Sequence, residues 1–355
     1  MYVNPDVYTL LFESRYPNGK PYIVLFSNNT KPIALIIGAT TRSSVPIKIG
    51  YLSTNTPELN SLDVEIDGLI SNGGKEAEDV MLEFLRALLK QKKFDKLEIQ
   101  HLPETHSSWN EIKSGMRVRR GAIYNTSIEW FSKIRDAETG EQISYHKPKT
   151  KRKLRRADRI LTKHFDENVE VKEITSPSDI KSFIEKSDVI CKKSYLCEIG
   201  AGIEDTEYWK KYLTDVAEGG YFRGYLLIAN SQPISYSFGL VYKNTFYLFA
   251  TAFNSDFRDI SPGGYLIRRM LENLVKEKID YFHFGFGDAE YKRLYGNEST
   301  IEATFRIYGF TNTARISKVL DQGTIAIHGA TMGVLDKFGI LNKVKKIWRS
   351  KLAKK

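Results

Sequence analysis

The sequence predicts a mixed α/β (α+β) protein built from two halves. Each half has a mainly antiparallel sheet flanked by helices, and a basic amphipathic helix closes the chain. Three observations lead there. Residues 246–296 read as strand, glycine turn, amphipathic helix, strand and a short polar and aromatic motif. In that helix Leu266, Met270, Leu271, Leu274 and Val275 recur at 3–4 spacing with charges opposite. A similar design sits at 84–99, where Leu85, Leu88 and Leu89 match Leu271, Leu274 and Val275 and a basic turn, an Asp and a strand follow; Gly73-Gly74 precedes this first copy. Either the two stretches are a weak internal repeat, or two amphipathic helices share their periodicity by chance. A length of 355 residues gives each of two domains room for a core.

Taken in order, 22–26 and 32–39 are apolar runs around Asn28-Asn29-Thr30, a hairpin signal. Residues 62–66 alternate as a strand, a helix covers about 76–92, and 96–100 is the next strand. The loop-like 136–140 marks a boundary, followed by a basic helix with Leu154, Ala157 and Leu161 on one side. From Val169 onward, Ser176-Pro177-Ser178-Asp179 starts a helix by cap and proline. Helices over 177–190 and 205–218 lead to strands near 221–229, 234–242 and 245–251, with turns at Gln232-Pro233 and Lys243-Asn244. The domains expected are 1–140, a basic connector 141–168, a domain 169–320 and a tail 321–355.

With 41% hydrophobic and 27% charged residues, the composition is that of a soluble globular protein. No apolar run reaches the roughly 18–20 residues that span a bilayer. The start lacks the basic region and apolar core of a signal peptide, which points to the cytoplasm. Cys191 and Cys197 form neither a disulfide framework nor a zinc pattern and are expected as reduced thiols. No His/Cys/Asp cluster has metal-ligand spacing, so no metal is invoked. The formal net charge of +10 is local: 145–163 carry a net +8 and 330–355 a net +7. Such concentration suits specific anionic partners. In the tail, Leu335, Phe338, Leu341, Val344, Trp348 and Leu352 recur at 3–4 spacing among lysines. That pattern fits a peripheral membrane-surface helix at 335–355, or a helix packed on the domain with a charged outer face. No recognised nucleic-acid-binding module is present.

Ser261-Pro262-Gly263-Gly264 places a proline in the first turn of the helix and two glycines where backbone can approach a ligand. Ser261 is positioned to cap. Unpaired N–H groups and the positive dipole end make this helix start a ready phosphate site, although glycine turns are also ordinary connections. The strand 281–284 then delivers Gly285-Phe286-Gly287-Asp288-Ala289-Glu290-Tyr291-Lys292 at its carboxyl end, where ligands of open α/β sheets sit. His283 alternates with two phenylalanines and either faces the cleft or is a satisfied core residue.

The strand, the SPG loop, the helix and the F-H-F-G-F-G-D-A-E-Y-K segment resemble the acyltransferases of the GNAT superfamily. The branch resembled is the CelD/BcsL-type cellulose-biosynthesis acetyltransferases, related to the FemAB/FemX peptidyltransferases. Tyr145 to Arg156 resembles the basic segment that this branch carries in mid-chain. The general GNAT loop, Arg/Gln-x-x-Gly-x-Gly/Ala, is not matched, because Arg258 is followed by Asp259, Ile260, Ser261 and Pro262 before the glycines.

The resemblance implies tandem GNAT-like domains, the first a degenerate half without a D-x-x-Y-K motif. It implies an acyl-CoA donor, acetyl-CoA first, and a sugar of exopolysaccharide or envelope as acceptor. Direct transfer in a ternary complex needs a base, oxyanion donors and a proton for the thiolate, and no nucleophilic Ser or Cys. Asp288 and Glu290 are the base candidates, Tyr291 the proton donor, and Lys292 the oxyanion or anion contact. Arg258, Ser261, Gly263, Gly264, Tyr265 and Arg268 are the residues expected around the donor phosphates. The other readings are a FemAB-like aminoacyl-tRNA-dependent transferase and a non-catalytic GNAT-fold binding protein of envelope assembly.

Overall fold

The computed structural model describes residues 1–49, 52–116, 121–143, 146–194, 197 and 202–337. The chain forms two compact units, Met1–Ser127 with the described segment Thr300 to Lys337, and Ile128–Ser299.

The first unit begins with helix α1 (Pro5–Arg15), whose N-cap Asn4 accepts the amides of Asp6 and Val7 at 3.1 and 3.2 Å. Strands β1 (Lys20–Asn28), β2 (Lys31–Ser43), β5 (Leu59–Ser71), β6 (Lys96–Pro103) and β13 (Glu298–Tyr308) lie side by side in that order. A separate hairpin is formed by β3 (Pro46–Ile49) and β4 (Leu52–Asn55). Helix α2 (Gly74–Lys90) buries Met81, Leu82, Leu85, Leu88 and Leu89 against Ile36, Leu62, Val64, Leu97 and Ile99 of the sheet. A short helix α3 (Trp109–Lys113) follows, and α9 (Asn312–Lys337) comes last. The basic tail expected at 335–355 lies outside the described residues beyond Lys337.

The second unit orders its strands β7 (Ile123–Lys133, entering from the first unit), β12 (Tyr281–Phe286), β11 (Thr245–Phe253), β10 (Gln232–Tyr242), β9 (Phe222–Ala229) and β8 (Val169–Ile174). One face carries α4 (Pro148–His164) and α7 (Pro262–Lys276). Leu266, Ile267, Met270, Leu271 and Leu274 of α7 pack there with Phe246, Leu248, Phe282, Phe284 and Leu161. Each such side chain contributes about 1.5–3 kcal/mol by burial. On the other face α5 (Ile180–Lys192) and α6 (Glu207–Glu218) cover β9 and β10, with Phe183 and Trp209 against Phe238. The helix α8 (Glu290–Tyr295) follows β12.

Both units contain the same device, a strand, a glycine turn, a helix and a second strand parallel to the first: β5-α2-β6 and β11-α7-β12. Each sheet is otherwise mainly antiparallel.

Two local expectations are corrected. The β9-β10 turn is Asn230-Ser231, both with positive φ (45° and 63°), while Gln232 and Pro233 already pair in β10. A right-twisted hairpin favours two left-handed turn residues, and proline cannot supply a positive φ. Cys191 and Cys197, expected as thiols, are joined by a disulfide across a Cα separation of 5.4 Å.

Candidate active site

The carboxyl ends of β11 and β12 and the start of α7 converge in the second unit. After Phe253 the chain makes a 3-10 turn over Ser255–Ile260 and enters α7 at Pro262. Ser261, expected to cap the helix, instead has φ 53° and ψ 54°, and its side chain makes no capping bond. Side-chain capping uses an extended backbone at the cap residue, which this left-handed turn does not provide. Pro262 has no N–H. Among the described residues the amides of Gly263 and Gly264 have no protein partner, and Tyr265 N is the first to return to the chain, reaching Ser261 O at 3.1 Å. A Cβ at Gly263 would stand 3.2 Å from the Phe253 ring, so the turn is closed to larger side chains unless that ring moves.

The two parallel strands pair over only three positions, Thr245 with Tyr281, Phe246 with Phe282 and Tyr247 with His283. Past His283 the tip of β12 still meets β7 at Phe286, opposite Glu129, and side chains hold it as well. Gly285 N–H donates to His283 Nδ1 at 3.1 Å, and Lys292 Nζ donates to the carbonyls of Gly285 at 3.1 Å and Phe286 at 2.6 Å. Gly285 and Gly287 have φ of 73° and 88°, a region that glycine enters without strain. Lys292 is 7% exposed. Burial pushes its ammonium down to about 8, against the opposing charge of Asp288.

The other motif residues spread out around this tip. Asp288 is exposed and ion-paired with Arg293, and Glu290 is exposed at the start of α8. Tyr291 packs against the α7 face of the unit, 6.4 Å from the Phe284 ring, and burial pushes its phenol up to about 12. It therefore keeps its proton at neutral pH.

Of the residues expected near the phosphates, Arg258 is exposed on the 3-10 turn. Tyr265 lies under the Arg269 guanidinium at 5.1 Å. Arg268 is tied into the protein. Its Nε donates to Asp158 Oδ1 at 2.9 Å and its Nη1 to Tyr295 Oη at 2.6 Å, while Tyr295 O–H donates to Gly264 O at 3.3 Å. This chain links α4 to the first turn of α7. It also lines a cleft of about 650 Å³ walled by Lys147, Lys151 and Arg155 on one side and Arg268, Arg269 and Arg293 on the other. His146 stacks edge-on to Tyr295 at 5.6 Å there, and burial, with Lys151 and Arg268 nearby, holds its imidazole below the ordinary value.

Sequence reasoning did not single out Asp158 or Glu129. Asp158 binds Arg268 and Arg269, and Glu129 Oε1 lies 2.6 Å from His283 Nε2. These partners are 110, 111 and 154 residues apart in the chain, so no local spacing announces them.

The family described as "Acetyltransferase (GNAT) domain" matches residues 148–293. Those residues carry a GNAT-fold acetyltransferase domain. The match takes in the basic helix α4, the open start of α7 and the motif up to Arg293. Among solved structures, the chain is similar to FemX with a TM-score of 0.54 and 11% identity, over 87% of this chain and 92% of that one. It is similar to a conserved protein of unknown function from Bacteroides thetaiotaomicron VPI-5482, with a TM-score of 0.53 and 11% identity over 85% and 89% of the two chains. It is also similar to the C-terminal domain of a putative lysylphosphatidylglycerol synthetase from Agrobacterium fabrum, with a TM-score of 0.52 and 9% identity over 86% and 89%. At these identities the likeness is one of fold, and it extends beyond the GNAT domain to most of the chain. No curated protein matches the sequence.

Proposed function

We propose that the GNAT domain transfers an acyl group from acyl-CoA, acetyl-CoA first, to an amine or hydroxyl of a sugar or precursor of exopolysaccharide or cell envelope. The acceptor class follows the CelD/BcsL-type resemblance. The observation that carries the reading is the pair of open amides at Gly263 and Gly264, at the start of the helix that follows β11, whose ladder with β12 ends at Tyr247 and His283. Two N–H groups at the positive end of α7 suit a diphosphate. From there the thioester arm can follow the tips of β11 and β12, which no longer pair with each other, toward Tyr291 and Lys292.

The residues divide the work. Lys292 spends two N–H groups on the tip of β12 and, when protonated, has a third for the carbonyl oxygen as it gains charge. Tyr291 O–H protonates the departing thiolate. Arg268, fixed by Asp158, holds Tyr295 against Gly264 and so fixes the phosphate turn.

Thermal stability tests this. Acetyl-CoA at about 100 times its Kd should stabilise the chain by about 2.7 kcal/mol, and Gly263→Val should remove that gain, with the ligand-free midpoint falling by what it costs to displace the Phe253 ring. No stabilisation of the wild type contradicts the reading. A second reading, an aminoacyl-tRNA-dependent transferase, is favoured by the cations of α4 that face the 650 Å³ cleft. RNA binding that survives moderate salt, without stabilisation by acetyl-CoA, would favour it.

A further inference from the structure

The sheet of the second unit has two faces at the tip of β12, and they differ in chemistry. Phe282 and Phe284 point into the core under α7. By strand alternation His283 points to the other face. There its ring lies 5.2 Å from Tyr247 and 6.1 Å from Phe286, and its Nε2 is 2.6 Å from Glu129 Oε1. Glu129 stands on β7 directly across from Phe286, the last residue of β12. The pair therefore straddles the end of the ladder between β11 and β12, with His283 on its last rung and Glu129 just past it.

The hydrogen bonds fix the tautomer of this imidazole. Gly285 N–H donates to His283 Nδ1, so that nitrogen carries no proton, and the ring proton is on Nε2 facing the carboxylate. Glu129 is thus held as an acceptor through Oε1. Its Oε2 has no hydrogen-bond partner among the described residues, and the side chain is 20% exposed. The other carboxylates near the tip are placed differently, with Asp288 held by Arg293 and Glu290 exposed on α8.

We propose that Glu129 is the catalytic base of the acyl transfer, with His283 as its positioning residue and the acceptor entering on the Tyr247 and Phe286 face. This rests on the donor reading above and deepens it. As the acceptor's oxygen or nitrogen forms its bond to the thioester carbonyl carbon, its proton passes to Glu129 Oε2. The C–S bond breaks, and the thiolate takes a proton from Tyr291 on the α7 face. Solvent then removes the proton from Glu129 and returns one to Tyr291, leaving the acylated acceptor and free CoA. The flanking rings and the single carboxylate suit an acceptor with an apolar ring face and one reacting hydroxyl or amine.

The test uses the full chain with acetyl-CoA as donor and glucosamine, which offers both nucleophiles, as acceptor probe, with release of CoA thiol as readout. Glu129→Gln keeps an acceptor for His283 Nε2–H but cannot take a proton. It should lower CoA release by about 10²-fold or more and leave stabilisation by acetyl-CoA unchanged. His283→Leu should lower the rate, and His283→Gln, which restores a donor near the Nε2 position, should recover part of it. Full activity in Glu129→Gln, or no catalysed release from a wild type that acetyl-CoA does stabilise, overturns the proposal and leaves the donor reading standing. Absence of stabilisation in the wild type overturns both.

Discussion

Lys292 Nζ lies 2.6 Å from the carbonyl oxygen of Phe286, inside the tip of the strand that leads to it. A buried lysine that serves its own backbone is first a structural clamp. Lys292→Met should leave the carbonyls of Gly285 and Phe286 without this donor and cost about 1–3 kcal/mol. Turnover should fall as well, because the tip loses its shape. Chemical denaturation and CoA release measure the two effects separately.

The same amine gives a pH signature. Its native value of about 8 lies below the ordinary lysine value of 10.5, so the protonated form is the one that folding disfavours. The cost is present in full below about 8 and is relieved between about 8 and 10.5, so this group alone makes stability rise with pH over that window. NMR of 13C-labelled lysine should show one resonance titrating near 8, absent in Lys292→Met. A spectrum in which every lysine titrates in the ordinary range would refute the burial.

Asp158 should matter far more than one acidic residue in a basic helix suggests. It is the carboxylate that Arg268 and Arg269 share, and the Arg268 side chain is only 13% exposed. Asp158→Ala strands that guanidinium and should cost about 3 kcal/mol, with weaker stabilisation by acetyl-CoA because Tyr295 loses its anchor beside Gly264. Unchanged stability would mean that the arginines find other partners.

In the first unit, Asp63 is a buried carboxylate whose native value is raised to about 6 by desolvation, with Lys96 partly offsetting it. A raised carboxylate binds its proton more tightly folded than unfolded, so its contribution to stability falls as pH rises from about 4 to about 6. Asp63→Asn should flatten that part of the stability profile and leave the protein more stable than wild type above pH 6. A variant with the wild-type profile would contradict the assignment.

Ser231 offers a change of opposite sign. At φ 63° it occupies a turn position that suits glycine, so Ser231→Gly should stabilise by roughly 0.5 kcal/mol. A loss of stability would show that its side chain holds the turn.

Much of the fold was legible because burial is periodic. The stripe from Leu266 to Leu274 announced α7, the leucines of 85–89 announced α2, and Lys243-Asn244 marked its turn. What stayed hidden is non-local. Nothing near Asp158 indicates Arg268, and nothing near Glu129 indicates His283, because sheet order and helix packing alone bring them together. Ser261 shows a second limit, since a residue type that caps helices does so only when its backbone is extended, and here it is left-handed. The Asn230-Ser231 turn stayed hidden because it carries no glycine at its two positive-φ positions, while Pro233 beside it is a stronger turn signal.

The central claim is that the amides of Gly263 and Gly264 hold the donor's diphosphate. Titrating 15N-labelled protein with CoA and following those two amide resonances tests it most directly. Both should move progressively to saturation and be among the largest shifts in the spectrum. If CoA saturates the protein while the two glycine amides stay where they were, the donor binds elsewhere and the account of this site is wrong.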